Sequence, residues 1–214
     1  MVLLIEQTST ETRTRTKAET RTSSPPAQQL PETDFDVSFY PEGGYALCGS
    51  TGRIAIKALQ QNGNEIDVSG IVYDSRKNEI VRFKTDVRGM GQFMLTPKRG
   101  ETYYAVCSNS KGHEKRFEMP VAREDAYALS TTWREDSLVV ELRRSESANK
   151  SDPMFLIVHT RGLIQDVNIL DDISQPIVYH KDIFPSGVTN FILLNRDMVP
   201  VSERLVFSRS LSDL

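Results

Sequence analysis

Most features that mark a catalytic, metal-binding or membrane-spanning chain are missing from this sequence. Its 214 residues hold two cysteines, three histidines and one tryptophan. His113, His159 and His180 stand far apart, and no His-Glu-x-x-His or Cys-x-x-Cys spacing accompanies them. A zinc site would therefore have to be assembled from distant segments. No Gly-x-Ser-x-Gly elbow and no glycine-rich phosphate loop occurs, so the sequence implies no nucleophilic or nucleotide chemistry and no cofactor. The longest apolar runs, such as Met154–Val158, are strand-sized, far below the ~20 residues of a membrane-crossing helix. The opening MVLLIEQ stops being apolar at Glu6 and lacks a basic start, short of the about 7–15 apolar residues of a secretory signal. Net charge is −3, and Arg13, Arg15, Lys17 and Arg21 alternate with Thr and Glu. That pattern argues against nucleic acid, which needs a concentrated basic surface.

No stretch of about twelve residues carries the 3.6-residue apolar period of an amphipathic helix. The period that does recur is two. After residues 1–33, a Thr/Ser/Pro-rich stretch whose composition predicts a disordered tail, apolar and polar residues alternate in FDVSFY, RIAIKAL, EIDVSGIVYD, EIVRFKT, GQFMLTP and TYYAVC. Gln61-Asn62-Gly63-Asn64 supplies an Asn-Gly hairpin signal, and Ser75–Asn78 a polar turn. Beyond Met119-Pro120 the pattern resumes with YALSTTW, SLVVELRR, MFLIVHT, LIQDVNIL, PIVYH, VTNFILLN and ERLVF, with one possible helical turn at Lys181–Phe184. Strands at this spacing predict an all-β fold of two tandem antiparallel sandwiches, 34–120 and 121–214.

Few residues stand out as sites. Cys48 and Cys107 allow either one disulfide in an oxidising compartment or two buried free thiols. Trp133 and Tyr45 are the candidate binding aromatics. Exposed in a cleft they would stack on a sugar or peptide; Trp133 also shares an alternating face with Tyr127, Leu129 and Thr131, which suits packing. Asp166, Asp171 and Asp172 form an acidic cluster without a calcium-loop pattern and read as a solvated turn. Tyr103 follows the Gly100 turn, where a tyrosine corner can tie loop to strand. Glu203 and Arg204 read as a structural ion pair or as solvent-facing charges.

Several runs together resemble a known family. They are Phe39-Tyr40-Pro41-Glu42-Gly43-Gly44, Ile54-Ala55-Ile56-Lys57-Ala58, Asp67-Val68-Ser69-Gly70, Gly89-Met90-Gly91-Gln92-Phe93 and Tyr103-Tyr104-Ala105. In the second half Phe184-Pro185-Ser186-Gly187-Val188 and Ser202-Glu203-Arg204-Leu205-Val206-Phe207 continue the series. Order and spacing resemble the macroglobulin-type β-sandwich domains of large Gram-negative envelope proteins, relatives of alpha-2-macroglobulin. The resemblance implies immunoglobulin-like sandwiches, a periplasmic or outer-membrane setting, and partners among neighbouring domains or envelope proteins, in some cases TonB-dependent receptors. It also implies a piece of a larger protein, acting as a non-enzymatic spacer or docking module, or as a glycan- or peptide-binding module in nutrient uptake. The Cys-Gly-Glu-Gln thioester of protease-trapping relatives is absent, since Cys48 lies in Leu-Cys-Gly-Ser.

Overall fold

A computed structural model describes residues 34–149, 153–170 and 175–209. The expected disorder of 1–33 and the acids Asp171 and Asp172 lie outside them. The described chain is all β apart from one 3-10 turn, Lys181–Ile183.

Seven strands build the first half. Strands β1 (Phe35–Pro41), β2 (Gly52–Gln60) and β5 (Met90–Leu95) form one sheet in the order β1-β2-β5. Strands β3 (Val68–Asp74), β4 (Glu79–Lys84), β6 (Tyr103–Asn109) and β7 (Glu114–Glu118) form the facing sheet, β4-β3-β6-β7. Their alternation sends Phe35, Val37, Phe39, Ile54, Ile56, Phe93, Val72, Phe83 and Ala105 into one core. Phe39, Phe83 and Phe93 lock the sheets together with ring centroids 5.4–6.3 Å apart; burial of each such ring contributes about 1.5–3 kcal/mol.

The second half repeats the plan. Strands β8 (Tyr127–Arg134), β9 (Ser137–Arg144) and β12 (Ile177–His180) form a sheet in the order β12-β9-β8. It faces β11-β10-β13-β14, made of β10 (Met154–Thr160), β11 (Leu163–Leu170), β13 (Gly187–Leu194) and β14 (Pro200–Ser208). A separate core of Leu129, Leu138, Val140, Leu156, Val158, Phe191, Leu193 and Val206 lies between them. All pairings within these sheets are antiparallel. The chain is therefore a tandem of immunoglobulin-like β-sandwiches.

One local expectation needs correction, and two features are added to the reading. The Asn-Gly turn forms, with Gln60 N–H donating to the Asn64 carbonyl at 2.8 Å, but it does not join a hairpin. Both edges of β2 are already occupied by β1 and β5, so after a single Leu59–Glu65 bridge the chain crosses to the opposite sheet. Strand β7 (EKRFE) carries no strand signal in sequence, because as an edge strand it presents charge to water. Cys48 and Cys107 are not bonded; both are buried free thiols. Cys107 points into the first core from β6, whereas Cys48 sits in the loop after β1, its thiol against the Lys98 carbonyl at 4.0 Å.

Tyr103 does make a corner. It is buried, and its hydroxyl accepts the Lys98 N–H at 3.0 Å, tying the β5–β6 loop to β6.

Candidate functional site

The most structured polar feature is the seam between the sandwiches, and it begins at Pro41-Glu42-Gly43-Gly44. Proline ends β1 because it cannot donate a further ladder bond. Glu42 N–H still donates to the Arg53 carbonyl at 2.9 Å, and Gly44 N–H closes a turn onto the Pro41 carbonyl at 3.1 Å. The turn pushes Gly43 against the backbone of β8. Gly43 has φ +80°, and a Cβ there would lie 2.5 Å from the Leu129 carbonyl oxygen. Only glycine satisfies both the conformation and the approach.

The tip is then bonded from both sides. The Ser202 hydroxyl donates to the Gly43 carbonyl at 2.8 Å and accepts the Leu129 N–H at 2.9 Å, so one side chain joins β14, β8 and the first sandwich. The Glu42 side chain is 7% exposed. Its Oε1 lies 3.2 Å from Arg204 Nη2 and 3.7 Å from Arg53 Nη1, and accepts the Thr131 N–H at 3.4 Å. Arg204 Nε donates in turn to Thr131 Oγ1 at 3.1 Å. A buried carboxylate between two guanidiniums from different sandwiches is a coupling of orientation, since its charge is satisfied only when both are in place.

Arg143 closes the seam from β9. Its Nη1 donates to the Thr51 carbonyl at 2.7 Å and its Nη2 to the Glu42 carbonyl at 3.2 Å. Burial pulls the guanidinium below its ordinary pKa, opposed by the Glu42 and Glu141 carboxylates. The connecting segment is fastened too. Cys48 N–H donates to the Arg123 carbonyl at 2.9 Å and Arg123 N–H to the Ala46 carbonyl at 2.8 Å. Fully buried Ser145 donates its hydroxyl to the Arg123 carbonyl at 2.8 Å.

Beside this seam lies a cleft of about 330 Å³ lined by Tyr45, Arg123, Asp125, Tyr127, Asn195 and Val201 among others. Tyr45 is 41% exposed, with the Arg123 guanidinium 5.0 Å from its ring centre. Trp133 is 39% exposed but is occupied in packing: its ring meets core Phe184 edge-on, centroids 6.3 Å apart. The two sequence-flagged aromatics are thus not brought together; Tyr45 lines a cleft and Trp133 caps the second core.

The histidines remain dispersed. His180 Nδ1 lies 3.1 Å from Asp182 Oδ2 on exposed surface. His159 is half-buried on β10, and His113 closes the β6–β7 turn. Among the described residues no group of three His, Cys, Asp or Glu side chains could hold a metal ion, and no helix is long and apolar enough to cross a membrane. Of the seam residues, sequence reasoning weighed Arg204 as a structural charge and missed Glu42, Arg143 and Ser202. The available signal was Glu42 itself, an acid set between a strand-ending proline and two glycines.

The sequence matches no family profile and no curated protein. Among solved structures, E. coli alpha-2-macroglobulin in its native conformation aligns at TM-score 0.31 and 10% identity, covering 83% of this chain and 14% of that one. The central fibronectin-III array of RIM-binding protein aligns at TM-score 0.29 and 13% identity, covering 79% of this chain and 68% of that one. This chain therefore spans about one seventh of the macroglobulin.

Proposed function

We propose that the chain is a non-enzymatic structural and interaction module of a larger cell-envelope protein, periplasmic or outer-membrane associated. Its sandwiches, 34–120 and 121–214, serve as a fixed-angle spacer and docking surface. The observation that carries the reading is the seam: Glu42 held by Arg53 and Arg204, and Gly43 by Ser202. A flexible tether would not need a buried carboxylate at its joint. The envelope setting rests on the family resemblance of the Phe39–Gly44 and Ser202–Phe207 runs. Backbone ¹⁵N relaxation tests the spacer role, because both sandwiches should tumble with one correlation time. Two independent correlation times would remove it. Fractionation of cells carrying the complete gene product tests the compartment, and recovery in the cytosol would overturn the envelope assignment.

A second reading, a glycan- or peptide-binding module, is favoured by one observation, the exposed Tyr45 in its cleft. Titration with oligosaccharide and peptide libraries should then give binding that Tyr45→Ala abolishes. Binding unaffected by Tyr45→Ala, or no binding, removes this reading and leaves the first intact.

A further inference from the structure

Three of the four outer sheet faces carry charge along their rows. On β1-β2-β5, Ser38, Lys57 and Met90 share a row, with Asp36 beside it. On β4-β3-β6-β7, every row ends in a charged residue: Glu114, Arg116 or Glu118. On β12-β9-β8, Ser130 pairs with Glu141. The outer face of β11-β10-β13-β14 is different. Directly paired residues of antiparallel strands point to the same side, so the register writes its rows out. They run Ile169–Phe155–Leu194, Val167–Ile157–Ile192–Glu203 and Ile164–His159–Asn190–Leu205, followed by Val188–Phe207.

The apolar side chains of β11 and β14 in these rows are open, whereas Phe155, Ile157 and Ile192 between them are half-buried and Leu194 is buried. Ile164, Val167, Ile169, Leu205 and Phe207 are 54–68% exposed. Together the outward apolar residues of this face present roughly 700 Å² of apolar surface, more than the few hundred Å² that a soluble monomer ordinarily leaves bare. We infer that this face is an interface between two copies of the chain.

Area, shape and charge favour a second copy. Roughly 700 Å² is close to the ~800 Å² per partner of a standard interface, so one face against its own equivalent suffices. A flat sheet face packs on another at about 10 Å with strands nearly aligned. The only carboxylate in the rows is Glu203, already accepting a hydrogen bond from Asn190 Nδ2 at 2.5 Å. A twofold axis lying parallel to the strands sets β11 of one copy over β14 of the other. The two Glu203 carboxylates then sit at opposite edges, about three strand spacings or ~14 Å apart, beyond the ~10 Å screening length of moderate salt. A twofold axis across the strands would bring them face to face. The contact is isologous and closes at two copies.

Sedimentation of the full 214-residue chain tests the inference. A species of twice the 24.2 kDa chain mass should dominate at tens of micromolar and dissociate on dilution. Ile157→Lys at the centre and Val167→Lys on the edge strand should each weaken it at least a hundredfold, with thermal unfolding confirming that the chain stays folded. Met94→Lys, on the outer face of the first sandwich, should leave it unchanged. Val167→Cys mixed with Glu203→Cys should crosslink on mild oxidation, and Glu203→Cys alone should not. A chain that is monomeric at all concentrations, that assembles beyond two, or whose dimer ignores both lysine variants overturns the inference, and the face then belongs to another partner.

Discussion

Replacing Glu42 by alanine tests whether the seam couples the sandwiches or merely brings them into contact. The gross attraction between Glu42 and Arg204, at 3.2 Å, is about 5 kcal/mol at an effective dielectric of 20. Much of that is offset by stripping water from the carboxylate. The arginines bound the net loss from the other side. Their side chains are 35% and 34% exposed for Arg53 and Arg204, so after the substitution both can turn toward solvent. The loss must lie above the ~0–1 kcal/mol of a surface pair and below the ~3–5 kcal/mol of a fully buried one; about 2 kcal/mol is expected. Urea unfolding followed by two probes separates stability from coupling. Trp133 lies in the second sandwich beside Phe184, so its fluorescence reports that half, whereas far-ultraviolet circular dichroism reports both. The two transitions should coincide in the wild type and separate in Glu42→Ala. A variant within about 0.5 kcal/mol of wild type, with transitions still coincident, would refute the coupling.

Other perturbations follow from the same geometry. Gly43→Ala places a Cβ on a residue at φ +80° and must displace the Leu129 backbone, so a loss of about 2–4 kcal/mol is expected in thermal unfolding; a neutral variant would show that the turn does not seat on β8. Tyr103→Phe leaves the Lys98 N–H without its acceptor and should cost about 1 kcal/mol, read by the same melt. Burial pushes the Cys107 thiol up to about 12, so it stays protonated and unreactive at pH 8. Cys48 is raised as well, by burial and then by the Glu124 and Glu146 carboxylates. Ellman's reagent should label both only in denaturant, and fast native labelling of Cys107 would contradict its core position. Asp74 is held below its ordinary 3.8 chiefly by the Asn78 side-chain amide. Its stabilisation is present above about pH 3.8 and is lost as pH falls through the lower folded-state value. Asp74→Asn should therefore flatten the decline in unfolding free energy between pH 5 and 2.5; an unchanged slope would count against the turn.

The fold was readable wherever one face of a strand is buried and the other wet. FDVSFY shows it plainly: Phe35, Val37 and Phe39 are inside while Asp36 and Tyr40 are exposed. Hairpin turns were readable where their chemistry is local, as at Ser75–Asn78 between β3 and β4, where Lys77 takes positive φ and the Asp74 carboxylate accepts the Asn78 N–H at 2.8 Å. What alternation could not give is the sheet in which a strand pairs. The Asn-Gly turn after β2 is locally the same whether the chain returns along β2 or crosses over, and the choice is made by β1 and β5 having taken both edges. Strand β7 was illegible for a related reason, since Glu114, Glu118 and their neighbours belong to an edge that must stay charged.

The seam was hidden more deeply, because its parts come from positions 42, 53, 143, 202 and 204 and no local pattern binds them. Pro41-Glu42-Gly43-Gly44 looks like an ordinary turn until β8 is brought against it. A turn whose only task is to reverse the chain would ask of Gly43 its positive φ but not the bare Cα that the approach of the Leu129 backbone requires, and would have no use for a carboxylate that must be desolvated. Both become necessary once the turn is the tip that one sandwich inserts into the other: Gly43 for the approach, Glu42 to neutralise the arginines that the approach buries. The same logic separates the seam from the outer face of β11-β10-β13-β14. At the seam, polar groups are buried and answered by partners within the chain. On that face, apolar groups are exposed and answered by none of the described residues, so the first surface joins one sandwich to the other and the second is the one inferred to meet a second copy of the chain.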